Sequence, residues 1–263
     1  MANKVPLLLN PALTGITNYG VASVFHQNRM PSLSGNYTTS TLSFDSPIRK
    51  LYGGLGFYYL HNNGNYRTDN FGLSYSFQTK ITKKFSLSIG TSVEVLHNQI
   101  RDKLGFGDSY YTDIIPYELN TNVGALVFSE NAFIGGSIRN ISTVNPLYFN
   151  SNIGYKFTLL KDKQLALTPV LSYNYQDGFQ STIFKVNASY KWTHLSVGFS
   201  DGDSYLFALG IDLKNFNLNY GYNISISKLT NNHGGSHEFS LRFKLESLYK
   251  ANSATHYYNF NLY

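Results

Sequence analysis

A chain of 263 residues with 14% charged side chains, no cysteine and a formal net charge of +6 excludes several classes at once. Its charge content falls well below the about 25% usual for a soluble domain, so something other than water covers much of the surface. Yet mean hydropathy is only -0.22, and no stretch approaches the roughly 18 to 20 apolar residues of a spanning helix. Without cysteine there is no disulfide framework, zinc-thiolate cluster or cysteine nucleophile. Lys and Arg are scattered, without the basic patch that would bind nucleic acid.

In chain order, Met1-Ala-Asn-Lys4 precedes the apolar run Val5 to Leu9, too short for the core of a secretory signal. The chain therefore reads as a mature form whose signal peptide has been cleaved, carrying an introduced start Met. Asn10-Pro11 reads as a stop to strand pairing, because proline fixes φ and lacks an amide donor. Residues 1–16 are thus expected to form a periplasmic segment ahead of the fold.

From there period-two alternation dominates. Phe71, Leu73, Tyr75 and Phe77 alternate with Gly72, Ser74, Ser76 and Gln78, and Phe85, Leu87, Ile89, Val93 and Val95 alternate with Ser86, Ser88, Gly90, Ser92 and Glu94. The same pattern returns at Leu165 to Tyr175, Phe184 to Trp192, Tyr205 to Leu213, Phe216 to Ile226 and Phe239 to Leu245. Weaker segments at about 17–27, 37–46, 51–61, 120–129, 132–140, 148–159 and 194–200 bring the count to about fourteen, an even number that suits a closed antiparallel transmembrane β-barrel. Apolar residues then face lipid and small polar residues face a lumen. A soluble sandwich also alternates, but it would put Lys and Glu on the second face, where this chain has Ser, Asn, Gly and Thr.

Short connections (46–50, 79–84, 129–131, 161–163, 214–215) alternate with longer ones (61–68, 97–119, 140–148, 228–236), as do the short periplasmic turns and longer outside loops of outer-membrane barrels. This spacing predicts a barrel over 17–245, both termini periplasmic, and a tail over 246–263 carrying Tyr257, Tyr258, Phe260 and Tyr263.

Leu9-Asn-Pro-Ala-Leu-Thr-Gly15 resembles the asparagine-proline-alanine motif that opens mature proteins of the PorP/SprF family, outer-membrane components of type IX secretion and gliding in Bacteroidota. Gly235-Ser-His-Glu-Phe-Ser-Leu-Arg-Phe243 is similar to that family's closing strand, and Val197-Gly-Phe-Ser-Asp-Gly-Asp203 to a strand and short loop that precede Leu209-Gly210. The tail beyond Glu246 departs from the pattern. The resemblance implies an outer-membrane barrel that holds a secreted protein through that protein's C-terminal sorting domain, in association with periplasmic and lipoprotein subunits of the type IX machinery. Alternatives are a small-solute or lipid transport channel and a lipid-modifying enzyme of the outer membrane.

Chemistry is sparse. His26, His61, His97, His194, His233 and His237 are candidate bases, with His97 near Glu94 and His237 beside Glu238, but a metal site needs three or four convergent ligands. Neither catalytic residues, metal nor cofactor are expected. Glu94, Arg139, Lys156, Lys185, Lys191, Asp212, Arg242 and Lys244 have inward parity and are expected to pair across the lumen or sit at its rims. Function gathers on loops carried by a rigid scaffold, so the 97–119 connection is the candidate cargo site, with Phe106, Tyr110, Tyr111 and Tyr117 as large contact surfaces. The short turns bring Arg49, Lys50, Lys80, Lys83, Lys84, Lys161, Lys163 and Lys214 to one side. Of these, Lys80, Lys83, Lys84, Lys161 and Lys163 are the candidate site for a periplasmic partner.

Overall fold

The computed structural model describes residues 5–29, 37–64, 66–103, 109–142, 145–159, 165–201, 204–226 and 235–245. The aromatic tail, His233, Phe106, Lys161 and Lys163 lie outside them.

Alternation of apolar and small polar residues sends successive side chains to opposite faces, and the chain responds with one antiparallel meander. The strands are β1 (Gly20–Arg29), β2 (Tyr37–Ile48), β3 (Gly53–Asn63), β4 (Tyr66–Lys80), β5 (Ser86–Lys103), β6 (Ser109–Phe128), β7 (Ala132–Arg139) and β8 (Tyr148–Tyr155) with its short continuation β9 (Phe157–Thr158). They continue with β10 (Leu165–Gln176), β11 (Phe179–Tyr190), β12 (Thr193–Ser200), β13 (Ser204–Asp212), β14 (Phe216–Ser225) and β15 (Ser236–Leu245). Each pairs with its sequence neighbours, and β1 closes on β15 from Gly20↔Leu245 to Arg29↔Ser236. Because β8 and β9 occupy one place in the wall, the closed barrel has fourteen strands, as expected.

Outward residues such as Leu42, Phe71, Leu73, Ile89, Ile134, Ile153, Phe184, Leu209 and Phe239 are exposed, while inward Ser23, Ser43, Ser74, Ser88, Asn122, Asn150, Ser196 and Asn219 are buried. This inverts a soluble protein and gives the wall an apolar surface that only lipid can cover. At Pro169, which has no amide hydrogen, the β8–β10 ladder stops after Gly154↔Val170 and resumes at Phe157↔Leu167.

Two expectations are corrected. The 97–119 connection is not one long loop, because β5 and β6 stay paired out to Lys103↔Ser109. Register shifts between Leu96 and Gln99 break the alternation without ending the pairing. Residues 5–16 do not stand ahead of the barrel either: Val5, Leu7, Leu9, Ala12, Leu13 and Ile16 are buried inside it. Leu9, Ala12, Leu13 and Ile16 pack with Leu126, Phe128, Phe133 and Val170, while Val5 and Leu7 pack with Phe25 and Tyr58. Each leucine so buried contributes about 1.5–3 kcal/mol. An apolar run too short to span a membrane finds in the lumen the cover it needs.

Candidate functional site

The N-terminal segment forms a short helix, Pro6–Leu9, then a 3-10 turn, Pro11–Leu13. Both begin on proline, where the missing amide hydrogen would in any case have no helical partner. Asn10 caps the second turn, its Oδ1 accepting from the Ala12 amide at 2.9 Å. Its Nδ2 donates to the carbonyls of Ala125 and Gly136, each at 3.1 Å, which ties the motif to β6 and β7.

Further backbone groups of this plug are met by lumen side chains. Ser137 donates to the Leu9 carbonyl at 2.8 Å, Ser88 to Ala12 at 2.6 Å and Ser76 to Thr14 at 2.6 Å. Gln78 adds 3.1 and 3.3 Å bonds to the carbonyls of Thr14 and Gly15, and the Gly15 amide donates to Asp45 at 2.8 Å. Leaving such groups buried and unpaired would cost about 1–3 kcal/mol each. The inward serines thus act as a receptor for a peptide backbone. Glycines make the room: a Cβ at Gly90 would overlap Pro11, and one at Gly124 would overlap the Asn10 side chain.

Above the plug sits Glu94, 1% exposed. Tyr58 donates its hydroxyl to this carboxylate, and Asn70, Asn120 and Asn122 donate at 3.1, 3.0 and 2.6 Å. The Arg139 guanidinium lies 3.6 Å away. These partners compensate the desolvation of a buried charge. Asp212 is paired with Lys244, so four of the inward charges meet in two opposite pairs, as expected.

At the other end from Gly20 and Leu245, a cup of about 450 Å³ opens over the plug. Leu8 and Leu9 of the plug line it together with Leu60 and Leu96. Arg29, Asn70, Arg139 and Tyr148 also line it, and among its described lining residues no carboxylate appears.

The expected site residues are not gathered here. Tyr117 is exposed and stacks on His97 with ring centroids 5.1 Å apart. Tyr110 and Tyr111 belong to the extended part of β6. Lys80, Lys83 and Lys84 are exposed around one turn, and Lys50 and Lys214 are exposed at the same rim. His237 faces Tyr220 at 2.8 Å, His61 faces Asp69 at 2.7 Å, and His26 faces Ser40 at 2.9 Å. Among the described residues no three His, Asp or Glu converge. Plug and cup escaped the sequence reading; the available signal was the recurrence of inward glycines at 54, 56, 72, 90 and 124 opposite an apolar run without strand periodicity.

The family described as Type IX secretion system membrane protein PorP/SprF matches residues 1–243. Among solved structures the chain is similar to a Pseudomonas aeruginosa FadL homologue, with TM-score 0.56 and 10% identity over 90% of this chain and 92% of that one. It is similar to the P. putida toluene transporter TodX, with TM-score 0.56 and 9% identity over 96% and 94% of the two chains. A deltaS2 mutant of the TodX monoaromatic hydrocarbon channel gives TM-score 0.59 and 9% identity over 91% and 93%. At such identities the likeness establishes the barrel fold alone. None of the curated proteins matches the chain.

Proposed function

Because the chain belongs to the PorP/SprF family of type IX secretion system membrane proteins, we propose that this outer-membrane barrel anchors or helps deliver secreted proteins through their C-terminal sorting domain, as a non-enzymatic partner of the type IX machinery. The observation that favours this over a solute channel is the seated plug, whose backbone is bonded to Ser76, Ser88 and Ser137 across the lumen. A channel reading draws on the transporters that share the fold, and small barrels fill their interiors in either case. The deciding experiment isolates the tagged barrel from native outer membranes and records the pure protein in planar bilayers. Co-purification of a secreted protein with a silent bilayer is expected; steady conductance without any secreted partner would replace this reading by the channel.

Docking of an acidic periplasmic subunit on the short-turn rim is part of the same proposal. Lys80, Lys83 and Lys84 stand exposed there, and Lys161 and Lys163 complete the set in sequence. Exposed charges act through their summed field and so depend on salt. Replacing all five by Ser is expected to lower recovery of type IX subunits at low salt and to make no difference at high salt; unchanged recovery at low salt removes the rim as a docking surface.

A further inference from the structure

We infer that the cup above the plug is a receptor for the carboxy-terminal end of a polypeptide, an inference that rests on the delivery reading and gives it a place of contact. Three features of the cavity select this ligand. First, part of its lining is apolar: Leu8, Leu9, Leu60 and Leu96 stand among the residues around about 450 Å³ of space, within the range of ligand pockets. One aliphatic side chain fits such a patch.

Second, the charge in the cup is positive. Arg29 and Arg139 both line it, with no carboxylate among its described lining residues. Arg139 approaches Glu94 at 3.6 Å, but that carboxylate already accepts from Tyr58, Asn70, Asn120 and Asn122. Arg29 holds the Gln27 side-chain oxygen at 3.3 Å. A guanidinium has five donors in a planar fork, so both arginines keep donors for an incoming carboxylate.

Third, the wall offers partners for a peptide backbone. Thr38, Thr39, Asn62 and Gln176 line the cup beside the leucines. Peptide amides and carbonyls can meet these hydroxyls and amides, whereas a fatty acid, which also combines an apolar body with a carboxylate, leaves them unused. A chain end therefore fits as a unit: carboxylate to the arginines, terminal side chain onto the leucines, last peptide groups against the polar wall.

The test uses the full-length barrel in detergent and the peptide Gly-Ser-Gly-Leu, carrying fluorescein at its amino end, as the free acid and as the C-terminal amide. Fluorescence anisotropy is expected to show saturable binding of the acid, with the amide weaker by about tenfold, the loss typical of one charge-assisted contact. Arg29→Gln should bring the acid down to the level of the amide and leave the amide unchanged, with retained heat-modifiable gel mobility showing that the barrel is folded. Equal binding of acid and amide, or no saturation up to about 1 mM acid, overturns the inference. So does a galacturonate trisaccharide that binds more tightly than the acid, which would make the cup a sugar site. No secreted protein enters this assay, so the two readings fail separately. Acid-selective binding without a co-purifying secreted protein removes delivery and keeps the cup, whereas co-purification with indistinguishable acid and amide does the reverse.

Discussion

The inner wall of β2 to β7 and that of β11 to β15 use the same small polar alphabet for different ends. In the first, Asp45, Ser76, Gln78, Ser88 and Ser137 spend their hydrogen bonds on the backbone of the plug. In the second, the wall bonds to itself: Ser196 donates to Asn187 at 2.6 Å, His194 meets Asn219, and Asn223 donates to Glu238 at 2.7 Å. The glycines follow suit, since Gly90 and Gly124 make way for the plug while Gly210 makes way for His194 and Asn219. A lumen-facing serine or glycine is thus defined by what lies across from it.

The outer face should not know this difference. Phe71→Lys, well inside β4, should cost about 2–4 kcal/mol, whereas Leu87→Lys in the plugged half and Leu218→Lys in the self-bonded half, both close to the turn ends of their strands, should each cost about 0–1 kcal/mol and cost the same. Urea unfolding in lipid vesicles measures this, and a cost confined to one half would tie the lipid face to the plug.

Inside, the halves should part. Gly90→Leu drives a side chain into Pro11 backbone, an overpacking that costs roughly 1–3 kcal/mol or expels the plug. Since the chain has no cysteine, Ala12→Cys reports expulsion: a membrane-impermeant maleimide should label it in the Gly90→Leu background and spare it otherwise. Protection in both backgrounds would mean that the plug holds its seat by other contacts.

Asn10→Ala removes two bonds to wall carbonyls and the cap on Ala12, and should lower stability by about 1–3 kcal/mol. In a protein lacking residues 1–16 the equivalent wall change, Ser137→Ala, should lose its effect, because its acceptor at Leu9 is gone; an undiminished cost would show that Ser137 acts within the wall.

The smallest contrast lies between two buried serines. Ser88→Ala strands the Ala12 carbonyl and should cost about 1 kcal/mol, whereas the Ser240 hydroxyl has no hydrogen-bond partner and Ser240→Ala should change stability by about zero. Equal effects would erase the distinction between receptor and filler.

The wall was legible because its determinants are local. Alternation of Phe71 to Gln78 assigns faces without reference to any other strand, since one face must meet lipid and the other cannot. The motifs at Leu9 to Gly15 and Gly235 to Phe243 pointed to the family that matches the chain. Pairing from Gln99 to Lys103 with Ser109 to Asp113 was hidden because register shifts remove the period while keeping the bonds. The plug was hidden for a different reason. Its partners stand 62 residues away at Ser76, 76 at Ser88 and 128 at Ser137, and a serine that will hold a carbonyl reads like one that merely lines a lumen. Short-range pattern determined the barrel; closure of the barrel, by bringing distant strands around one apolar segment, decided what fills it and left Arg29 and Arg139 facing the space above.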